Sequence, residues 1–285
     1  MTAIALLLLL TAGAAGYVSW ADYRIAHGDP AWWFVAFAPL AYLLPVLLLA
    51  SVWFTLSWIW RTPRAPEYRL GPAACARLFL GEVSAVALSW PLMVAHRLLI
   101  ADPVAAPSRL PLLLVHGVAV NDGVWFALRR NLWRRGLGPV YTINYGPPLA
   151  GIEHFAGQLA SRIDAVCAAT GAQRVALIAH SMGGLVSRYY LEVLEGWRDC
   201  RALITFGTPY RGAVNAVGFI ANGYKQIGLD LTAVLRSCPA VRMIRPMPCG
   251  TSRLWTMPFR RLRSVAVVIL RLMPPPRAVL GISTP

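Results

Sequence analysis

Thirty consecutive residues, 31–60, contain no charged side chain. A helix of about 18 or more such residues is long enough to cross a hydrocarbon layer about 30 Å thick. Residues 1–21 are also uncharged, and the whole chain is 57% hydrophobic, against roughly 45–50% in soluble domains. We therefore predict a transmembrane hairpin in residues 1–60, with spans at about 2–20 and 31–60.

The first uncharged segment has a second interpretation, because a secretory signal peptide also contains an apolar run. Ala12-Gly13-Ala14 would serve as a cleavage site, but the basic start of such a peptide is missing, which favours an uncleaved span. A third apolar run, residues 83–95, is too short to span and contains Pro91. We expect it to lie against the membrane or pack on the next domain, with an ordinary core helix as an equal alternative. Residues 61–104 are thus assigned to a linker and membrane-proximal helix.

Basic side chains near the ends of spans predict which side of the membrane a loop occupies. Arg61, Arg64 and Arg69 follow the second span, whereas the loop at residues 22–30 carries only Arg24 beside two aspartates. With two spans, the second would end in the cytoplasm. The sequence therefore predicts an integral protein of the inner or cell membrane, with everything after residue 61 on the cytoplasmic side.

The net charge of +15 raises the question of a nucleic acid or anionic lipid partner. Residues 231–285 contribute most of the asymmetry, since they hold nine arginines and no acidic residue. No aromatic and basic platform or recognition helix accompanies this charge, so we expect no nucleic acid partner. The five cysteines are odd in number and lack CxxC spacing, which predicts neither a disulfide framework nor a zinc site. No metal or cofactor is expected.

Strand and helix patterns alternate in the middle of the chain. Short apolar runs typical of buried strands are bounded by Gly or Pro, and amphipathic stretches separate them. This alternation predicts a parallel sheet covered by helices on both faces, in a domain at residues 105–235. The predicted strands are 110–115, 140–144, 175–179 and 202–206, and the predicted helices are 124–135, 152–169 and 184–194.

One turn in this domain has the pattern of a nucleophile. In Ala179-His180-Ser181-Met182-Gly183 a strand pattern gives way to a helix pattern, and the positions two before and two after the serine are small. A sharp strand-to-helix turn brings these neighbours together and pushes the serine hydroxyl out above the sheet edge. The following helix directs its free N–H groups and the positive end of its dipole at whatever forms beside that hydroxyl.

A serine that builds an oxyanion also needs hydrogen-bond donors. The backbone N–H of Met182 is one candidate. Val118 N–H is the other, because a predicted strand ends in His116-Gly117-Val118 at the matching position of the sheet. Each such donor typically contributes about 3 kcal/mol of transition-state stabilisation. A phosphate-binding loop is the obvious rival, but the chain has no Gly-Lys-Ser/Thr.

Three segments carry a resemblance to a known family. LLLVHGVAVNDGVW, LIAHSMGGLVSRYY and ITFGTPYRGA resemble an α/β-hydrolase of the lipase and lecithin:cholesterol acyltransferase-like kind. The resemblance implies that Ser181 is the nucleophile, that Val118 and Met182 form the oxyanion hole, and that residues 213–235 form a lid or acyl-chain wall. It covers roughly a third to two-fifths of the chain, from about residue 110 to 213.

The chain departs from this family in its acid and base. In the family fold an acid and then a histidine follow the nucleophile, but all five histidines here precede Ser181: His27, His96, His116, His154 and His180. We expect His116 to belong to the oxyanion turn, His180 to point away from the hydroxyl, and His96 to be structural. His154 is weighed as a substitute base, with a solvated histidine at a helix end as the plainer interpretation. Asp199 and Asp230 are the later acids that could orient a histidine, and neither has one to orient.

The C-terminal residues 236–285 form a basic tail rich in Pro and Arg. Its composition is what a shifted reading frame in a GC-rich gene would produce, so we hypothesise out-of-frame sequence from about residues 235–248 onward; a disordered tail on anionic lipid is the alternative. Another reading frame of the same DNA should then encode a segment in which an aspartate is followed by a histidine. Loss of the family's last strands would leave the sheet incomplete at its C-terminal end, with an unpaired strand edge.

The predicted fold class is therefore α/β, an α/β-hydrolase with a mostly parallel sheet and flanking helices, preceded by two transmembrane helices. The predicted function is a membrane-anchored serine hydrolase, lipase-like or esterase-like, that acts on a lipid or other carboxylic ester through an acyl-enzyme on Ser181. The alternative is a catalytically inactive, membrane-anchored binding or scaffold protein that keeps the hydrolase sheet. A lipid or ester substrate and the membrane are the expected partners, and no specific protein partner is inferred.

Overall fold

Three apolar helices form the N-terminal part of the protein. The computed structural model of the chain describes residues 2–59, 70–148, 150–209 and 268–271. Its first helices are α1 (Thr2–Ala26), α2 (Ala31–Ile59) and α3 (Pro72–Val94), and all three are long and apolar enough to cross a membrane. Membrane association is suggested by the length and composition of these helices.

The third helix corrects the sequence-based expectation. The apolar run at residues 83–95 was predicted to be too short to span, but the helix that contains it begins at Pro72 and has 23 residues. The prediction failed because Arg77 and Glu82 interrupt the apolar pattern without interrupting the helix. Pro72 starts the helix at a position where its missing N–H costs nothing. Pro91 lies within the last turn and does not end the helix early.

The first two helices agree more closely with the predicted spans. The helix α1 continues to Ala26, beyond the predicted end at residue 20, and α2 begins at the predicted residue 31 and ends at Ile59. Two prolines inside α2, Pro39 and Pro45, do not divide it.

A five-stranded sheet forms the centre of the following part. Its strands are β1 (Leu112–Val115), β2 (Val140–Ile143), β3 (Val175–His180), β4 (Cys200–Phe206) and β5 (Val268–Arg271), in the spatial order β2-β1-β3-β4-β5. The first four pair in parallel, and β5 pairs with β4 antiparallel. Parallel strands need crossover connections, and β1, β2 and β3 are buried on both faces except at one end of β1 and of β3, whereas β4 is partly exposed.

Helices cover both faces of the sheet. The shared core of α6 (Ile152–Thr170) and α7 (Met182–Glu192) on the sheet contains Phe155, Leu159 and Leu185. A second core cluster lies under α5 (Phe126–Trp133) and includes Trp125 and Leu128. The strand and helix boundaries lie within about two residues of the predicted ones, except that the predicted helix 124–135 is a 3-10 helix, Asp122–Trp125, followed by α5. The α/β fold class is confirmed.

The outer edge of β4 differs from the expectation of an unpaired strand. Residues 202–205 pair with residues 268–271 of the tail, so this edge carries an antiparallel partner. The other residues of the tail and the expected lid at 213–235 lie outside the described residues. The proposed domain boundaries stay predictions.

The C-terminal end of α3 is joined to the loop after β1. Asn121 Nδ2 donates to the carbonyl oxygen of Met93 at 2.9 Å, and the backbone of α3 passes so close to Gly123 that a Cβ there would lie 2.4 Å from the Leu92 oxygen. His96, in the one-turn helix α4 (His96–Leu99), lies with Nδ1 2.7 Å from Oδ1 of Asp122. These contacts fix the last apolar helix directly on the carboxyl edge of the sheet.

Candidate active site

Ser181 occupies the junction between β3 and α7. The strand ends at His180 and the helix begins at Met182, so the serine belongs to neither element. Its backbone has φ 52° and ψ −124°, a region that residues other than glycine adopt at a cost of about 1–3 kcal/mol. The Ser181 N–H donates to the Phe206 carbonyl of β4 at 2.9 Å, which holds the turn against the neighbouring strand.

The glycines around this turn are required by close packing. A Cβ on Gly183 would lie 2.4 Å from the His116 oxygen and 2.5 Å from the Val115 oxygen, and one on Gly184 would lie 2.0 Å from Thr208 Oγ1. From the sequence, the small residues were predicted to avoid crowding within the turn itself. In the structure, Gly183 is small because α7 begins directly against the backbone at the end of β1.

The end of β1 lies beside the serine. A Cβ on Gly117 would lie 3.0 Å from Ser181 Cβ, and Val118 is the next residue of the chain, about 3.8 Å further along from Cα to Cα. Val118 is half-buried and packs on the core under α6 and α7. Met182 is 4% exposed and is the first residue of α7, where backbone N–H groups have no partner within the helix. The structure thus brings the three residues singled out in the sequence, Ser181, Val118 and Met182, to one corner of the sheet.

The loop after β1 is held from several sides. The Tyr145 hydroxyl donates to the carbonyl oxygen of His116, and the two rings stack with centroids 4.3 Å apart. Asp122 N–H donates to Asn144 Oδ1 at 2.9 Å, and the Asn121 side chain accepts from Gly123 N–H at 3.0 Å. These polar contacts were not predicted from the sequence, because only the folded chain brings the ends of β1 and β2 together.

The histidines near the turn are electrically neutral at pH 7. His116 is buried, its Nδ1 donates to the Gly117 oxygen at 2.8 Å, and burial lowers its pKa to about 4. Burial, with a smaller contribution from the like charge of His116, also lowers the pKa of His180 to about 4. A neutral imidazole is the form that can accept a proton, but a pKa this low makes it a weak base.

The remaining histidines and acids have other partners. His154, weighed as a substitute base, lies with Nε2 3.1 Å from the Gly146 oxygen. Asp199 accepts from the Tyr190 hydroxyl at 3.2 Å, before the start of β4, and burial raises the pKa of that tyrosine. Asp230 lies outside the described residues. Among the residues that the structure describes, no cluster of three His, Cys, Asp or Glu side chains could hold a metal ion.

A parallel sheet with helices on both faces, and a serine in a strained turn between its central strand and a helix, define the class of the α/β-hydrolases. Residues 145–275 match the lecithin:cholesterol acyltransferase family. The chain is 34% identical over 161 residues to a triacylglycerol lipase of Burkholderia plantarii, covering 48% of this chain and 43% of the lipase. It is 38% identical over 125 residues to a triacylglycerol lipase of Pseudarthrobacter phenanthrenivorans, covering 40% and 37% of the two chains. The chain therefore spans less than half the length of the lipases it matches.

Two solved structures also match part of the chain. A Bacillus licheniformis lipase in its mature form matches with a TM-score of 0.41 at 20% identity, over 48% of this chain and 62% of that one. A naproxen esterase from Bacillus subtilis matches with a TM-score of 0.30 at 19% identity, over 45% and 47% of the chains. The family match and the two lipase relatives confirm the resemblance inferred from the sequence, which is to lipase-like and lecithin:cholesterol acyltransferase-like α/β-hydrolases.

Proposed function

We propose that the protein is a membrane-associated serine hydrolase of lipid or other carboxylic esters, acting through an acyl-enzyme on Ser181. The observation that carries this proposal is the backbone of Ser181, at φ 52° between β3 and α7, with Gly117 of the loop after β1 packed beside it. Strain of this size persists only where the surrounding structure enforces it, and it is typical of functional positions.

The proposed chemistry follows from the geometry of this corner. The Ser181 oxygen attacks the ester carbonyl carbon, and the carbonyl oxygen becomes an oxyanion that accepts hydrogen bonds from Met182 N–H and Val118 N–H. Collapse of this intermediate releases the alcohol and leaves the acyl group on Ser181, and water then releases the acid. The proton of the serine hydroxyl must pass to a base, whose identity is not assigned. Oxyanion donors and substrate binding alone would retain about 10³–10⁴ of rate over water.

The apolar helices support a substrate drawn from the membrane. Helices long and apolar enough to span a bilayer, joined directly to the hydrolase part, would keep it where lipid esters are concentrated. Two spans would leave this part on the cytoplasmic side, as the sequence predicts, and a third would reverse it.

A non-catalytic role is the second candidate. It is favoured by one observation, that no histidine follows Ser181 in the sequence. In that case the sheet would serve as a membrane-anchored binding or scaffold module, and the serine hydroxyl would stay unreactive because nothing removes its proton.

A fluorophosphonate probe separates the two candidates. We expect the full chain in detergent micelles to be labelled at Ser181 and to hydrolyse p-nitrophenyl esters, and Ser181→Ala to lose both. Ser161→Ala is the matched control, because Ser161 is exposed on α6, and it should be labelled as the parent is. Absence of labelling in a folded parent chain would refute the hydrolase and favour the scaffold.

A further inference from the structure

Two of the apolar helices lie side by side in opposite directions. The Tyr42 hydroxyl of α2 donates to the Ala87 oxygen of α3 at 2.6 Å, and the ring of Tyr42 meets that of Trp90 edge to face at 6.3 Å. Further along α2, Phe54 meets Phe79 edge to face at 5.1 Å. Because the residue numbers rise along α2 while they fall along α3, the pair is antiparallel.

This contact covers a large part of a membrane thickness. Tyr42 and Phe54 are about 18 Å apart along α2 at the helical rise per residue, and α2 is the most apolar of the candidate spans. A helix that touches α2 at both points must lie at the same depths in the bilayer. If α2 crosses the membrane, α3 therefore crosses most of it beside α2.

The charged residues of α3 are compatible with this position. Arg77 lies near the start of the helix, where a long side chain reaches the interface. Glu82, the acidic residue of α3, is half-buried and has a partner within the protein. One such residue near the middle of a span costs about 2.5–3.5 kcal/mol on insertion scales, which the apolar residues of a 23-residue helix offset.

We propose that α3 is a third span, antiparallel to α2, and that the hydrolase part lies on the extracytoplasmic face of the membrane. The end of α2 at Ile59 and the start of α3 at Pro72 then share one side. The sequence that connects them contains the arginine cluster of the sequence analysis, which marks the cytoplasmic side. The opposite ends of the two spans are flanked by fewer basic residues. The cluster and the first turns of α3 hold Arg61, Arg64, Arg69 and Arg77, against Arg24 and Arg97 at the opposite ends.

The side of the membrane proposed for the hydrolase part differs from the side predicted from the sequence because the number of spans differs. The cytoplasmic location was predicted for two spans followed by a third apolar run that does not cross the membrane. The rule on basic residues is the same in both cases, but each added span moves the chain after it to the other side. The location of the hydrolase part is independent of α1, because the pairing of α2 with α3 decides which side of the membrane follows α3. It is also independent of the reactivity of Ser181.

The same contacts define which surface of the hydrolase part faces the bilayer. The end of α3 is bonded to Asn121, in the loop that leaves the carboxyl edge of the sheet. Ser181 lies on that edge beside Gly117, and the chain from Gly117 to Asn121 can reach at most about 14 Å. The carboxyl edge is therefore held at the extracytoplasmic membrane surface. If the proposed hydrolase activity holds, lipid esters of that leaflet are its substrates.

The sidedness can be tested on the full chain in bacterial spheroplasts. Ser161→Cys places a thiol on the exposed face of α6, and Thr62→Cys places one in the sequence between α2 and α3. We expect a membrane-impermeant maleimide to label Ser161→Cys before lysis and Thr62→Cys only after lysis, both measured as the increase over the parent chain. Labelling of Thr62→Cys alone before lysis, or the same behaviour of the two positions, would overturn the third span.

Quenching of fluorescence in proteoliposomes tests whether the carboxyl edge of the sheet faces the membrane. A coumarin-bearing residue replaces Pro148, in the loop after β2 at the carboxyl edge, or Gln173, in the loop before β3 at the opposite edge. Lipids with a spin label on the headgroup should quench the probe at 148 at least twofold more strongly than the probe at 173. Equal quenching, or stronger quenching at 173, would refute the proposed orientation, and neither assay requires activity. Loss of ester hydrolysis with these results intact would affect only the proposed function.

Discussion

Replacement of Gly183 by alanine tests the packing that positions Ser181. Gly183 is the second residue of α7, and helix propensity alone predicts that alanine would stabilise the helix by up to about 1 kcal/mol. The structure predicts the opposite, because the added Cβ would meet the backbone oxygens of His116 and Val115 at 2.4 and 2.5 Å. Ordinary contacts begin near 3.4 Å, and backbone atoms at the end of a strand that is paired on both sides cannot rotate away as a side chain can.

The expected change in the free energy of unfolding follows from these two opposing effects. Moving α7 away from β1 enough to relieve the contacts should cost about 2–3 kcal/mol, the upper part of the range for overpacked sites, because the contacts are with backbone atoms. After subtraction of the propensity gain, we expect Gly183→Ala to lower the free energy of unfolding by about 1–2 kcal/mol. Gly157→Ala is the matched control, since Gly157 lies within α6 and an added Cβ meets nothing within 4 Å. That variant should gain up to about 1 kcal/mol.

The assay is unfolding of the parent and the two alanine variants in the same detergent, followed by near-ultraviolet circular dichroism. For a protein of this size, about 1 kcal/mol moves the midpoint of thermal unfolding by roughly 2–4 °C. Gly183→Ala should therefore lower the midpoint of thermal unfolding, and Gly157→Ala should raise it. If Gly183→Ala stabilises the protein as Gly157→Ala does, α7 does not lie against β1 as described, and the geometry proposed for Ser181 is wrong.

Three further outcomes are expected. Burial holds the pKa of His116 near 4 against an ordinary value of 6.5, so its contribution to stability is complete above pH 6.5 and is lost as the pH falls towards 4. His116→Gln should remove about 2 kcal/mol of the stability difference between pH 7 and pH 5, measured by urea unfolding, and an unchanged difference would contradict the assignment. His96→Ala removes one hydrogen-bond partner of the buried Asp122 carboxylate and leaves it the Thr142 hydroxyl, so it should destabilise by about 1–3 kcal/mol, with partial recovery in the double variant with Asp122→Asn; additive losses would show that the two side chains do not interact. Burial raises the pKa of the Cys200 thiol to about 12, so iodoacetamide at pH 8 should alkylate it only after unfolding, and rapid alkylation of the folded protein would place that thiol at the surface.

Hydrophobic patterns in the sequence predicted the strands and the first two apolar helices, because the burial of a segment determines which of its residues must be apolar. The apolar strands around residues 112–115 and 175–180 and the break at Ser181 were recognised from the sequence, since burial on both faces of a sheet requires continuous apolar runs. The two spans at the start were recognised for the same reason, because a helix surrounded by lipid must be apolar on all sides.

Contacts between distant residues were not predicted. Periodicity identified only the apolar end of α3, and its full length emerges when Phe79 and Trp90 are seen against α2. Asn121 and Asp122 are unremarkable in sequence, and their importance comes from Met93 and His96, which the fold brings to them. The antiparallel pairing of residues 268–271 with β4 likewise joins segments more than sixty residues apart.

The sequence by itself determined that the chain carries apolar helices before a parallel α/β sheet and that a serine follows one of its strands. These features depend on hydrophobic pattern and backbone preference, which act over a few neighbouring residues. Only the tertiary structure decided why Gly183 must be small, which loop α3 holds, and that α3 runs antiparallel beside α2. Each of these depends on close approach between segments far apart in the chain, and no local pattern records which segments will meet.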